Sequence, residues 1–150
     1  MLANVGLQAT VRLAPVDAWE AALGELREAP DSPLGRVREI CLAFPEVQER
    51  LSHGSPTFFV RKKSFVSYEH DHHGDGRLAL WCAATHDAQQ MLVETNPEQF
   101  FFPAYVAHMG WVGIRLDRDP DWDEIAGIVE AGYRKVAPKA VLAQLDGTRP

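Results

Sequence analysis

Residues 57–82 read T-F-F-V-R-K-K-S-F-V-S-Y-E-H-D-H-H-G-D-G-R-L-A-L-W-C, and their pattern decides the fold. Thr57–Val60 and Ser64–Glu69 are short runs rich in aromatic and β-branched residues, joined by the charged triplet Arg61, Lys62 and Lys63. Leu78–Cys82 is a third such run, reached across the polar, glycine-punctuated segment from His70 to Gly76. Short apolar runs bounded by Gly, Asp and charged turns read as successive strands.

Helices flank this stretch. Upstream, Ser32 and Pro33 form an N-cap and first helical position, and Leu34, Val37, Cys41 and Phe44 follow at helical spacing. Pro45 interrupts, and a further helical turn through Val47 and Leu51, closed by Gly54, is expected. Downstream, His86–Glu94 predicts a helix, Trp111–Leu116 a strand, and Asp121 with Glu124 a capping box. The helix that follows carries Ile125, Val129 and Val136, and Pro138 starts a terminal turn or short helix ending near Leu145. Residues 1–30 read as an appendage: Val5, Leu7, Ala9, Val11 and Leu13 alternate as in a strand, and Trp19, Leu23 and Leu26 follow at helical spacing. The expected architecture is α+β, a two-layer α-β(3)-α-β(2)-α domain over residues 31–150 with a largely antiparallel sheet, plus an N-terminal strand-helix appendage.

A chain of 150 residues with 46% apolar and 24% charged residues can bury one core without metal or disulfide help. No run approaches the length of a membrane span, and no signal-peptide pattern opens the chain, so no membrane partner is expected. Cys41 and Cys82 stand apart in apolar surroundings, as reduced thiols of a cytoplasmic protein do. The net charge of −6 is uneven: residues 57–82 carry +1, between flanks of −3 and −4. One small basic patch on an acidic body opposes tight binding to a polyanion.

Several groups could carry chemistry. His70, Asp71, His72, His73 and Asp75 are metal-ligand types close in sequence, with His70, His72 and Asp75 the candidate ligands, but a solvated hairpin loop is the favoured reading, since adjacent strand positions such as His72 and His73 face opposite ways. Arg61, Lys62, Lys63 and Arg77 could contact phosphates, or could keep hairpin turns soluble. His53, Phe58, Tyr105, His108, Trp111 and Tyr133 are the aromatic and imidazole groups expected to converge, either as a small-molecule pocket or as core. The stretch Phe100–Leu116 concentrates rings beside Pro103 and Gly110, so a site is expected near it. Walker, dinucleotide and H-E-x-x-H motifs are absent, no cofactor is expected, and no catalytic residue is assigned.

Five motifs together carry a resemblance: H-G-S-P-T-F at 53–58, K-K-S-F at 62–65, L-A-L-W-C at 78–82, P-A-Y-V with G-W-V within 103–112, and Y-R-K-V-A-P-K at 133–139. In these the chain resembles the MmcQ/YjbR-like proteins over roughly residues 33–145. The resemblance implies a compact α+β fold of the frataxin-like and secretion-chaperone kind, and DNA binding through two adjacent hairpins acting as a double wing. Many members carry a lysine in the third strand where this chain has Trp81, which removes a positive charge from that region. Three functions follow as expectations: a non-enzymatic DNA-binding domain, a small-molecule binder or enzyme using the pocket around Tyr105 and Trp111, and a protein-interaction module.

Overall fold

The computed structural model describes residues 31–147, so the strand-helix appendage expected over residues 1–30 lies outside the described residues. The chain divides at Arg38/Glu39 into two units. Helix α1 (Pro33–Cys41) runs across that division. Its start is capped as expected: the Ser32 Oγ accepts the Gly35 N–H at 3.0 Å, and the Ser32 carbonyl accepts the Arg36 N–H at 2.9 Å.

The second unit continues with β1 (Val47–Ser52), β2 (Ser55–Val60), β3 (Lys63–His70), β4 (Leu78–Cys82) and α2 (His86–Thr95). It closes with β5 (Phe100–Phe101), β6 (Val112–Arg115), α3 (Trp122–Val136) and α4 (Lys139–Gly147). The six strands of the described residues join one antiparallel sheet in the order β1-β2-β3-β4-β6-β5. The α+β class is as expected from the sequence, with one strand more before α2.

That extra strand corrects the helical turn expected through Val47 and Leu51. Val47–Ser52 pairs with β2 over its whole length, Val47 facing Val60 and Ser52 facing Ser55. Leu51 is 76% exposed and so anchors no helix face. His53 and Gly54 both have left-handed backbones, with φ of 52° and 82°. A two-residue hairpin turn of type I′ requires positive φ at both central positions, so Gly54 turns a hairpin rather than ending a helix. Glu49 and Arg50 lie on this edge strand, and charge discourages pairing with another chain there.

Alternation along the strands divides the sheet into two unlike faces. Phe58, Val66, Leu80, Cys82, Val112 and Ile114 point one way and are fully buried. Helix α3 packs on this side against β3 and β4, with Ile125, Val129 and Tyr133 at four-residue spacing toward the sheet. A register shift at Phe58/Phe59 sets Phe65 and Val66 together against the same side. The Tyr133 ring stacks on Phe44 at 4.7 Å and meets Phe65 edge-on at 5.5 Å, while its hydroxyl donates to the Pro45 carbonyl at 2.7 Å. Burial pushes the Tyr133 phenol above its ordinary range, and the Cys82 thiol up to about 12. On the other face, Thr57, Ser67, Trp81 and Gly113 form one row of cross-strand neighbours, and the Phe101 ring closes over Gly113.

The seating of α3 distinguishes its two interior glycines. A Cβ at Gly132 would stand 2.4 Å from the Ala83 carbonyl oxygen, whereas one at Gly127 meets nothing within 4 Å. Gly127→Ala should therefore stabilise the fold by about 0.5–1 kcal/mol through helix propensity. Gly132→Ala should destabilise it by about 1–3 kcal/mol, since backbone must move. Urea denaturation of the two variants checks both signs.

Candidate functional site

The row Thr57–Ser67–Trp81 is the floor of a concavity of about 620 Å³ on the sheet face opposite α3. That volume suits a small organic ligand. Ser55, Ser64 and Glu69 extend the polar part of the floor. Three segments build the rim: the β1–β2 turn with His53, the β3–β4 loop with His72 and His73, and the chain from Tyr105 to Trp111.

Each rim segment is held by local hydrogen bonds. In the β3–β4 loop, Asp71 Oδ1 accepts the Gly76 N–H at 2.8 Å, and Asp75 Oδ1 accepts the Arg77 N–H at 2.8 Å. Asp71 and His73 take left-handed backbones, φ 53° and 51°. The loop thereby brings the His72 and His73 rings 4.2 Å apart, with His72 4.7 Å from Trp81. This corrects the expectation that these neighbours face opposite ways: the loop leaves the extended conformation after His70. Even so, no three His, Cys, Asp or Glu side chains among the described residues converge to hold a metal ion, His70, His72 and Asp75 included. Asp75 instead pairs with Arg77 at 3.7 Å.

Across the concavity, Tyr105 is 71% exposed with φ of 66°, and its hydroxyl lies 3.2 Å from His73 Nε2. An aromatic residue with positive φ is an uncommon conformation, and this one leans over the mouth of the concavity. Helix α2 fixes the segment behind it. Gln89, buried in the first half of α2, donates through Nε2 to the Ala107 carbonyl at 2.9 Å and the Trp111 carbonyl at 2.7 Å. His86 Nε2 lies 2.9 Å from the His108 carbonyl.

The floor is polar and under-satisfied. Glu69 is 9% exposed, and its carboxylate accepts one hydrogen bond, from Ser55 Oγ at 2.8 Å. Among the described residues it has no ion-pair partner. Arg115 lies two strands away in the same register but is committed to Asp117, with contacts of 3.0 Å that hold the Asp117 carboxyl below its ordinary range. Ser67 Oγ and the indole N–H groups of Trp81 and Trp111 also find no hydrogen-bond partner among the described residues.

Of the residues singled out from sequence, His53, Tyr105 and Trp111 line this concavity. Phe58 and Tyr133 are fully buried on the α3 side, where they fill the core. His108 lies in a short 3-10 turn (Ala107–Met109), away from the lining. The four basic residues are not gathered together. Arg61 pairs with Glu46 at 2.9 Å, and Lys62 in the β2–β3 turn and Lys63 at the start of β3 are exposed. Arg77 sits at the far end of β3, its guanidinium 4.0 Å over the Phe101 ring. Sequence reading missed Ser55, Thr57, Ser67, Glu69 and Gln89 as site residues. Polar residues at alternate positions of an otherwise apolar strand, Ser67 and Glu69 above all, were the available signal.

A family model described as YjbR matches residues 42–135. No curated protein matches the chain. Among solved structures, the Deinococcus radiodurans protein DR2400, described as a DUF419 domain, superposes with a TM-score of 0.61 at 17% identity, covering 79% of this chain and 91% of that one. At that identity the superposition shows a shared fold alone.

Gln89→Ala removes the donor shared by two carbonyls, one of them deeply buried, and should cost about 1–3 kcal/mol of stability in urea denaturation. With the family model spanning both the sheet and helix α3, the chain belongs to the YjbR family.

Proposed function

We propose that this YjbR-family chain is a small-molecule-binding domain whose ligand occupies the concavity floored by Ser67, Glu69 and Trp81. The observation that carries this reading is the floor itself: a nearly buried carboxylate with one hydrogen bond, from Ser55 Oγ, lines an open volume beside a hydroxyl and two indoles that have no hydrogen-bond partner among the described residues. Buried polar groups are ordinarily paired, because each unpaired one costs of order 1–3 kcal/mol. A ligand that supplies the missing partners recovers that free energy on binding. The left-handed backbones of His53, His73 and Tyr105 around the mouth agree with this, since such strain clusters where a ligand is clamped. No nucleophile–base pair with an orienting third group occurs in the concavity, so the reading is of binding without catalysis. No helix among the described residues is long and apolar enough to cross a membrane. Two buried free thiols support a reducing, cytoplasmic setting. A thermal-shift screen of small polar aromatics and amines should give hits that raise the melting temperature of the full chain. Tyr105→Ala, at an exposed position, should shrink the same shifts without unfolding the protein. Hits that stabilise both proteins equally, or none at all, remove this reading.

A second reading is favoured by a different observation. Lys62 and Lys63 share a second concavity, of about 580 Å³, with Lys135 at the C-terminal end of α3 and Lys139 at the start of α4. These four ammonium groups form a compact basic patch, and they support weak, sequence-independent contact with DNA phosphates. Arg77 lies outside this patch. On this reading a fluorescein-labelled duplex binds at 20 mM salt, loses affinity steeply by 200 mM, and ignores Lys62→Glu/Lys63→Glu protein. Anisotropy that stays flat at the lower salt excludes it.

A further inference from the structure

We infer that the ligand carries a protonated amine, which donates to the free oxygen of Glu69; this rests on the small-molecule reading above and names its ligand. A carboxylate offers roughly four lone-pair positions, and Ser55 Oγ fills one of them. The group is nine-tenths buried, so water does little to solvate the remainder. No cationic side chain among the described residues pairs with it. Ser67 is uncharged, Ala79 stands directly opposite on β4, and Arg115 beyond it is bound to Asp117. A buried carboxylate is costly to keep ionised unless it is paired, and a cation from outside the chain would supply the partner.

The walls favour the same class. Trp81 and Trp111 present indoles to the volume, and His72 packs edge-on against Trp81. Indole faces attract cations, and they cover the carbon skeleton of a small organic amine as readily. A primary or secondary ammonium offers the carboxylate charge-assisted N–H donors, whereas no three ligand-type side chains among the described residues converge here to hold a metal ion. Ser67 lies one pleat along β3 on the same face, about 7 Å from Glu69, and is placed for a second polar group of the ligand.

The test uses benzylamine, protonated at neutral pH, against its uncharged analogue benzyl alcohol and the anion benzoate. Each is titrated into the full chain labelled with nitrogen-15, and the indole N–H resonances of Trp81 and Trp111 report occupancy of this concavity. Benzylamine should shift both resonances with at least tenfold higher affinity than benzyl alcohol, and benzoate should leave them unmoved. Glu69→Gln keeps the side-chain shape, and in it benzylamine should fall to the level of benzyl alcohol. The comparison of the three probes on the unaltered protein stands whether or not that variant folds. If benzyl alcohol or benzoate shifts the resonances as strongly as benzylamine, the inference is overturned while the binding reading survives. Should none of the three move them, both fall together.

Discussion

The packing of α3 against β3 and β4 is the constraint on which the rest of the structure depends. Tyr133 fixes it at three points: a stacked ring on Phe44, an edge contact with Phe65, and a hydroxyl donated to Pro45. An aromatic ring with a satisfied hydroxyl buries a large area without leaving a polar group unpaired. Gly132 lets the helix backbone approach Ala83 closely enough for this seating. With one face of the sheet so occupied, the alternation of the strands sends Thr57, Ser67, Glu69 and Trp81 to the other. What covers them is then left to loops.

Loops cover that face at a local conformational cost. His53, Asp71, His73 and Tyr105 all adopt positive φ around the concavity, and each such residue costs of order 1 kcal/mol or more. Asp71 and Asp75 offset part of this by accepting backbone N–H groups within the β3–β4 loop. Gln89 does the equivalent for the Tyr105–Trp111 segment by donating to two of its carbonyls. The walls are thus ordered by hydrogen bonds of their own, and on the floor Thr57 and Ser55 are bonded while Ser67 and one oxygen of Glu69 have no partner among the described residues. A structure under selection for stability alone has an easy alternative at position 69, an apolar or amide side chain.

The fold was largely legible in the sequence because its signals are local. The strand runs over residues 57–82, the Asp121 cap and the spacing of Ile125 and Val129 all express themselves within a few residues. Val47–Ser52 misled for the same reason. Its two apolar residues stand four apart, which mimics a helix turn, and only pairing with β2 makes it a strand. The site was legible in fragments. Tyr105, Trp111 and His53 could be singled out as chemically capable, but Phe58 and Tyr133 look alike in composition and lie on the opposite face. Which face a strand residue takes depends on register, and register is set by turn geometry and a bulge that no short window reveals. Glu69 passed unnoticed because its significance is the absence of a partner, which is a property of the assembled sheet.

Trp81 draws the electrostatic and the aromatic arguments together. It pairs with Ser67 across β3 and β4, which makes it a diagonal neighbour of Glu69, whose direct partner is Ala79. Diagonal neighbours on one sheet face lie about 7–8 Å apart, within reach of a lysine side chain. A lysine at this strand position, as the resemblance to MmcQ/YjbR-like proteins gives for many of them, would place an ammonium over the Glu69 carboxylate and satisfy it from within. Tryptophan there has the opposite effect: it withholds the counter-ion, lines the volume with a cation-attracting ring, and leaves the carboxylate open. The same residue also weakens the case for this face as a phosphate-contacting surface, since a buried negative charge beside an indole repels a polyanion. The exposed lysines lie at the β2–β3 turn and the end of α3, around the other concavity. The buried Glu69 carboxylate and the exposed lysines near Lys135 thus line different concavities. An organic cation and a phosphate backbone would meet this protein in different places.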